Sequence, residues 1–188
     1  RVSPDVKAQY VFSDSYVLYA KATGGRQLND FRRLETYNPY LDPGQEVKDT
    51  YEQLNAGLGF KASPTPGLWF DIFGGYQNLK DDLYQSADQW IGGSGANYIA
   101  LGQTNTDNFY AGIKASYEYK DLFAISAGGT YYHWNADAQT TGSKSSDYNE
   151  ALLMKPEFDL GIHTEIHPIA ALWLNAGYQY TRRAERYT

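Results

Sequence analysis

The sequence predicts an all-β protein: an antiparallel up-and-down meander of about eight long strands, forming a transmembrane β-barrel or a segment of a larger one. Three observations predict it. Stretches of about ten residues alternate apolar and polar side chains. Very short and very long connections alternate between those stretches, and Tyr and Trp crowd the stretch ends.

The first strand is expected over 6–12, with Val6, Ala8, Tyr10 and Phe12 against Lys7, Gln9 and Val11. A turn at 13–15 leads to a second over 16–24, with Leu18, Ala20 and Ala22 against Tyr19, Lys21 and Thr23. The third, 54–62, sets Leu54, Ala56, Leu58, Phe60 and Ala62 against Asn55, Gly57, Gly59 and Lys61. The Pro- and Gly-bearing stretch 63–67 turns it into the fourth, 68–77, where Leu68, Phe70, Ile72, Gly74 and Tyr76 oppose Trp69, Asp71, Phe73, Gly75 and Gln77. The fifth, 108–119, sets Phe109, Ala111, Ile113, Ala115 and Tyr117 against Tyr110, Gly112, Lys114, Ser116 and Glu118.

Lys120-Asp121 makes a two-residue turn into the sixth strand, 122–134, whose outward side the pattern leaves open. The seventh, 153–166, alternates Phe158, Leu160, Ile162 and Ile166 with Glu157, Asp159, Gly161, His163 and Glu165. A turn at 167–170 leads to the eighth, with Leu172, Leu174, Ala176, Tyr178 and Tyr180 against Trp173, Asn175, Gly177 and Gln179. The run Leu68-Trp69-Phe70-Asp71 on to Gly75-Tyr76-Gln77 recurs as Leu172-Trp173-Leu174-Asn175 on to Gly177-Tyr178-Gln179, in the same parity. The other connections, 25–48, 81–107 and 135–150, are long and rich in charges, Gly, Ser and Asn. Short turns of outer-membrane barrels face the periplasm and long loops the outside, which places 13–15, 63–67, 120–121 and 167–170 in the periplasm. Within the first long loop, 28–35 has the pattern of a helical turn or two.

Composition narrows the class. No stretch of the 188 residues reaches the roughly 20 apolar residues of a membrane helix. Aromatics make up 16%, including 18 Tyr, a residue suited to strand ends that are half wet. With no Cys there is no disulfide framework and no thiolate chemistry, and the net charge of -6 argues against nucleic acid as a partner. Arg1-Val2-Ser3-Pro4 carries neither a charged leader nor an apolar core, and the chain ends in an arginine-rich run, so the 1–188 barrel domain is expected to be a piece of a longer protein.

Alternation alone does not fix which face is outside, because a soluble barrel turns its apolar face inward and a membrane barrel turns it outward. Strand length decides for the bilayer: stretches of ten to fourteen residues match the roughly 9–11 tilted residues that span lipid, against about five or six in globular sheets. The aromatics at 117 and 119, at 131, 132 and 134, and at 178 and 180 have the placement of interfacial girdles. The expected surroundings are lipid outside and an aqueous lumen inside. Lys61, Asp71, Lys114, Glu118, Glu157, Asp159, His163 and Glu165 are then the lumen-facing polar residues.

No catalytic constellation, cofactor or metal site is expected. His163, Glu165 and His167 share a face, but same-face neighbours on a strand lie nearly 7 Å apart, about twice the rise per residue, which favours rim polarity over chelation. Asp81, Asp82 and Asp88 read as an acidic, solvated loop in preference to a calcium site. Lys61 with Asp71, and Lys114 with Glu118, are expected to form charge ladders that hold the sheet in register. Solute recognition is assigned to the loops: Arg32 and Arg33 for anions, and Tyr40, Trp90 and Tyr98 as stacking surfaces.

The run 28–35 followed by Tyr37-Asn38-Pro39-Tyr40, then Lys48-Asp49-Thr50-Tyr51, Gly67-Leu68-Trp69-Phe70-Asp71, Gly75-Tyr76 and Lys80-Asp81-Asp82-Leu83-Tyr84, resembles the barrel portion of TonB-dependent-receptor-like outer-membrane proteins of Bacteroidetes. The resemblance implies a Gram-negative outer-membrane barrel that binds an unknown small solute on its loops and lumen for energised uptake. It also implies an energy-transducing periplasmic partner and more strands than the eight read here. The alternatives are a small eight-stranded barrel with an adhesive or structural role, and a soluble β-barrel ligand carrier.

Overall fold

Eight antiparallel strands stand in the sheet in the order of the sequence, each bonded to its neighbours in the chain. They are β1 (Asp5–Ser13), β2 (Tyr16–Gln27), β3 (Thr50–Thr65), β4 (Leu68–Ser86), β5 (Ala100–Tyr119), β6 (Phe123–Ala136), β7 (Pro156–Ile169) and β8 (Leu172–Arg183), with one helix, α1 (Phe31–Tyr37), between β2 and β3. The computed structural model describes residues 3–41, 45–86, 100–120, 122–137, 150–153, 155–169 and 171–183. Among these, β1 and β8 pair on one side only, so the sheet is open, and both strands are exposed along their length.

The register gathers the apolar residues of successive strands into continuous rows. One row runs Leu18, Phe60, Ile72, Ile113, Gly129, Leu160 and Tyr180 across seven strands. Because a slip of one residue would move a whole strand's set to the other face, this agreement fixes every pairing at once. The apolar face is the exposed one: Leu58 is 65% accessible, and Ile72 and Ile113 are each 50% accessible. On the opposite face Asp71 is 7% and Asn108 2% accessible. A closed soluble barrel turns its apolar face inward, the reverse of this arrangement.

Pairing also sorts the aromatics. Towards the short turns the apolar face carries Tyr16, Phe60 and Phe70, with ring centroids 6.1 and 6.5 Å apart, and Tyr117. Towards the long connections it carries Tyr76 and Phe109, 4.8 Å apart, and Tyr131. Two aromatic belts separated by Ala, Leu, Ile and Gly are what lipid interfaces on either side of a hydrocarbon layer select. Tyr132 and Trp134, expected in the same girdle, stand on the polar face by parity, and Trp134 Nε1 donates to the Pro156 carbonyl at 3.0 Å.

The four short turns fall at one end of the sheet and the three long connections at the other. Three turns are shorter than the sequence indicates, the first of them reduced to Asp14-Ser15 because β1 runs to Ser13. β3 persists to Thr65, leaving Pro66-Gly67 as the turn, with Gly67 at φ 81°. β7 persists to Ile169 through a register shift after Ile166, and His167 meets Trp173 with ring centroids 3.5 Å apart and planes tilted by 47°.

The first two long connections are also shorter than expected, because strands continue beyond the alternating stretches, whereas the third, 137–155, is longer than the 135–150 expected. β4 runs on to Ser86 and β5 starts at Ala100, so about half of the 81–107 stretch is strand. Outside the alternating stretch both sides of this ribbon are covered. Leu83 and Leu101 lie on the side where segment 45–50 crosses, and Asp82 and Tyr84 on the side where the 3-10 turn Glu150–Leu152 packs; all four are buried. α1 occupies the helical stretch expected in the first loop, two to three residues later than read. Asp30 caps it by accepting from Arg33 N–H at 2.9 Å.

Candidate functional site

The polar face is organised by aromatic rings lying flat over glycines. Tyr19 on β2 crosses Gly59 on β3 and donates to both carboxylate oxygens of Asp71 on β4, at 3.0 and 3.1 Å. A Cβ on Gly59 would fall inside the Tyr19 ring. Tyr110 on β5 crosses Gly75 on β4 in the same way and donates to Asn55 on β3 at 2.8 Å; a Cβ on Gly75 would stand 2.5 Å from its hydroxyl. Each ring ties three strands together, which a cross-strand pair does not. The sequence reading missed both tyrosines, although a Gly directly opposite an aromatic in register was the available signal.

Lys61 and Lys114 stand in register on either side of Asp71. The ladders expected between Lys61 and Asp71 and between Lys114 and Glu118 do not form: among the described residues neither lysine has a carboxylate within 4.0 Å. Asp71 is held by Tyr19 instead, and the two ammoniums lie over rings, Lys61 over Tyr19 at 5.3 Å and Lys114 over Phe73 at 5.5 Å. Glu118 is exposed near a short turn, its N–H donating to Gly67 O at 2.8 Å.

On β7, Asp159 faces Thr130 and Thr181 across the sheet, and its Oδ1 is buried without a hydrogen bond among the described residues. His163 Nε2 and Glu165 Oε1 are 3.1 Å apart. His167 is turned to Trp173, and no three-residue group fit to hold a metal ion forms among the described residues. Glu157 lies at a bulge where alternation lapses, and it pairs with Arg182 at 3.2 Å. A groove of about 680 Å³ runs over this part of the polar face, lined among others by Trp69, Lys114, Ser126, Asp159, His163 and Gln179.

At the loop end, Asp82 is buried and ion-paired with Lys155, and it accepts from Thr106 Oγ1 at 2.8 Å. The Lys155 ammonium also lies 4.5 Å from the Trp134 ring centroid. Asp82 therefore does not belong to a solvated acidic loop; a lysine 73 positions away neutralises it. Asp88 lies outside the described residues. Nearby, Asn29 donates to Lys48 O at 2.7 Å and to Thr50 Oγ1 at 3.0 Å, while Gln103 Nε2 donates to Lys48 O at 2.7 Å and to Asp81 O at 2.9 Å. Arg26 is ion-paired with Asp49, whose carboxyl is held below its ordinary range by the Asn29 N–H and by Arg26.

Of the loop residues expected to bind solute, Arg32 and Arg33 line a surface recess with Leu28 and Asp30, and Arg33 Nη2 donates to Gln27 at 2.8 Å. Tyr40 is 71% exposed and stands apart from that recess. Trp90 and Tyr98 lie outside the described residues.

No family model and no curated protein matches the chain. Solved structures do. The chain is similar to the copper transporter OprC, at 15% identity and a TM-score of 0.61, over 98% of this chain and 26% of that one. It is also similar to a chain in the structure of the FpvAI-pyocin S2 complex, at 19% identity and a TM-score of 0.57, over 95% of this chain and 23% of that one. The likeness is one of fold: an antiparallel meander of long strands. The chain spans about a quarter of the length of each of these neighbours.

Proposed function

We propose that this chain is one stretch of the wall of an outer-membrane barrel in a TonB-dependent-receptor-like solute uptake protein of a Gram-negative bacterium, with Bacteroidetes as the source that the sequence resemblance favours. Residues 1–188 form a single barrel unit in this reading, and further strands of the parent complete its two edges. A periplasmic energy-transducing protein is the expected partner, and binding and admission of a small solute the expected activity, with no enzymatic step. The observation that carries the reading is the sorting of faces. Leu58, Ile72 and Ile113 lie exposed in an apolar band between two aromatic belts, while Lys61, Asp71, Lys114, Glu118, Asp159, His163 and Glu165 stand on the polar strand positions. Arg32, Arg33, Tyr40, Trp90 and Tyr98 supply the outer, loop-borne part of solute capture.

The eight-stranded adhesin or structural barrel is the weaker reading, because β1 and β8 do not pair with each other. The chain has no Cys of its own, so single cysteines placed in it give a clean readout in a whole protein whose other cysteines have been replaced by Ser. In intact outer membranes, Lys114→Cys is expected to react with a small water-soluble maleimide, and Ile72→Cys with a lipid-dissolved one only. Equal aqueous labelling of both sites would remove the membrane orientation. Deleting the parent gene and finding unchanged uptake of every scarce metal chelate and small nutrient tested would remove the transport role.

A further inference from the structure

Beyond the aromatic belt, two glutamines strap the first long connection to the β4–β5 ribbon. Gln45 engages both main-chain groups of Leu101: its Oε1 accepts from the Leu101 N–H at 2.8 Å, and its Nε2 donates to the Leu101 carbonyl. Gln103 answers from the ribbon. Its Oε1 accepts from the Lys48 N–H at 2.8 Å, and its Nε2 donates to the Lys48 carbonyl at 2.7 Å. A carboxamide carries donor and acceptor side by side, so each glutamine stands in for a ladder partner. The Asp81 carbonyl, in the β4 bulge, accepts from Gln103 Nε2 at 2.9 Å and from Thr50 Oγ1 at 3.0 Å. Parity sets the side on which the strap lies. β5 is unbroken from Ala100 to Tyr119, so Leu101 and Gln103 share the side of Phe109 and Ile113, the apolar face. Asp82, opposite Thr104, stands on the other side, where Lys155 and the 3-10 turn hold the ribbon. The ribbon is held from two sides by separate sets of contacts, so loss of the outer set leaves the inner one in place.

At the base of the connection Gln27 pairs with Thr50, and Arg26, Asn29 and Asp49 join its two limbs. Residues 45–49 belong to no ladder. Side-chain bonds that water can replace contribute little each, whereas the strands below are closed by continuous ladders, so the strap is the part that opens first. We infer that the first connection is a lid with its own latch: Gln45 and Gln103 release together, and the segment carrying α1 swings about the Gln27–Thr50 pair while the wall stays folded. Opening uncovers Leu83 and Leu101, which are buried in the latched state, and carries the Arg32–Arg33 recess away from the ribbon. The latch goes beyond the solute-capture reading and holds whether or not those arginines meet a solute.

The test is native-state hydrogen exchange on the whole purified protein in detergent, read at the Lys48 and Leu101 amides, the two that the glutamine carbonyls protect. As urea rises below the range of global unfolding, both are expected to exchange in one step, ahead of the amides of 54–62 and 109–117. Gln103→Leu is expected to speed exchange about tenfold at Lys48 and equally at Leu101, whose own partner Gln45 is unchanged; tenfold corresponds to about 1.4 kcal/mol. Gln45→Leu is expected to act on both amides in the same way, and Glu35→Gln, on the exposed side of α1, on neither. The wall amides keep wild-type rates in every variant. Exchange of Lys48 and Leu101 in separate steps, or only together with the wall strands, overturns the inference. So does a Gln103→Leu effect confined to Lys48. The urea series needs only the wild type, so it decides the matter even where a variant fails to fold.

Discussion

Gly59 and Gly75 show how much depends on an atom that is missing. Each leaves a slot on the polar face through which a tyrosine reaches two strands away, Tyr19 to Asp71 and Tyr110 to Asn55. Gly59→Ala places a methyl group inside the Tyr19 ring, so the ring must leave and Asp71 loses both of its hydrogen bonds. The expected cost is about 1–3 kcal/mol for overpacking, read as a lower unfolding midpoint in detergent, with Tyr19→Phe showing a smaller loss of its own. Lys155 is a second single-residue control. Removing it as Lys155→Ala leaves Asp82 buried without its counter-charge, which costs about 3–5 kcal/mol in comparable buried pairs. Lys155→Ala/Asp82→Asn is expected to recover most of that loss. Asp49 supplies the pH dependence. Its folded value lies below the ordinary carboxylate value of 3.8, so its contribution is complete above that value and is lost as pH falls through the lower folded one. Proteolysis between β2 and β3 should accelerate below pH 4, and Asp49→Asn should be equally susceptible at neutral pH.

At the scale of the element, strands and loops obey different rules inside and outside the apolar band. Between the aromatic belts alternation is strict, and the register shifts gather near strand ends, at 11–13, 23–25, 52–54, 62–65, 79–82, 156–158 and 166–169. A bulge there redirects a side chain without disturbing the lipid face. Glu52 is one beneficiary: beyond the shift it accepts from Gln77 Nε2 at 2.6 Å on the polar face. A charge within the band should therefore act very differently from one on the other face. Ile72→Arg is expected to destabilise by about 2–4 kcal/mol when folding into lipid vesicles is followed against urea, with Lys61→Ala near neutral. The strands themselves were legible in the sequence because period two needs only the order of residues. The extension of β4 and β5 was not, since Asp82, Gln103, Thr104 and Thr106 break the alternation, and their pairing is stabilised by covering segments far along the chain.

For the whole molecule, the decisive property is that the sheet has one exposed apolar face, one polar face and, among the described residues, two open edges. Unpaired strand edges in hydrocarbon would leave amides without partners, at several kcal/mol each, so in the proposed bilayer setting β1 and β8 need neighbours. Expressed alone, residues 1–188 are expected to associate through these edges, and cross-linking of cysteines placed at Val6 and Leu174 should give ladders of higher species. The whole protein should give none. The site was less legible than the wall. Lys61, Asp71 and Lys114 are visible as a polar face, but their arrangement follows from Tyr19, which lies 52 positions from Asp71 and offers no local signal.

The order of residues determined which stretches become strands, which side chains share a face, where the chain turns, and that one face of the ribbon suits lipid. These follow from backbone pleating, which any extended chain imposes on its neighbours in sequence. Tertiary structure alone decided that Asp71 bonds a tyrosine and not a lysine, and that Asp82 is buried against Lys155. Those outcomes depend on register between strands and on distances through space, and hydrogen-bond and ion-pair energies fall away within a few ångströms of the contact.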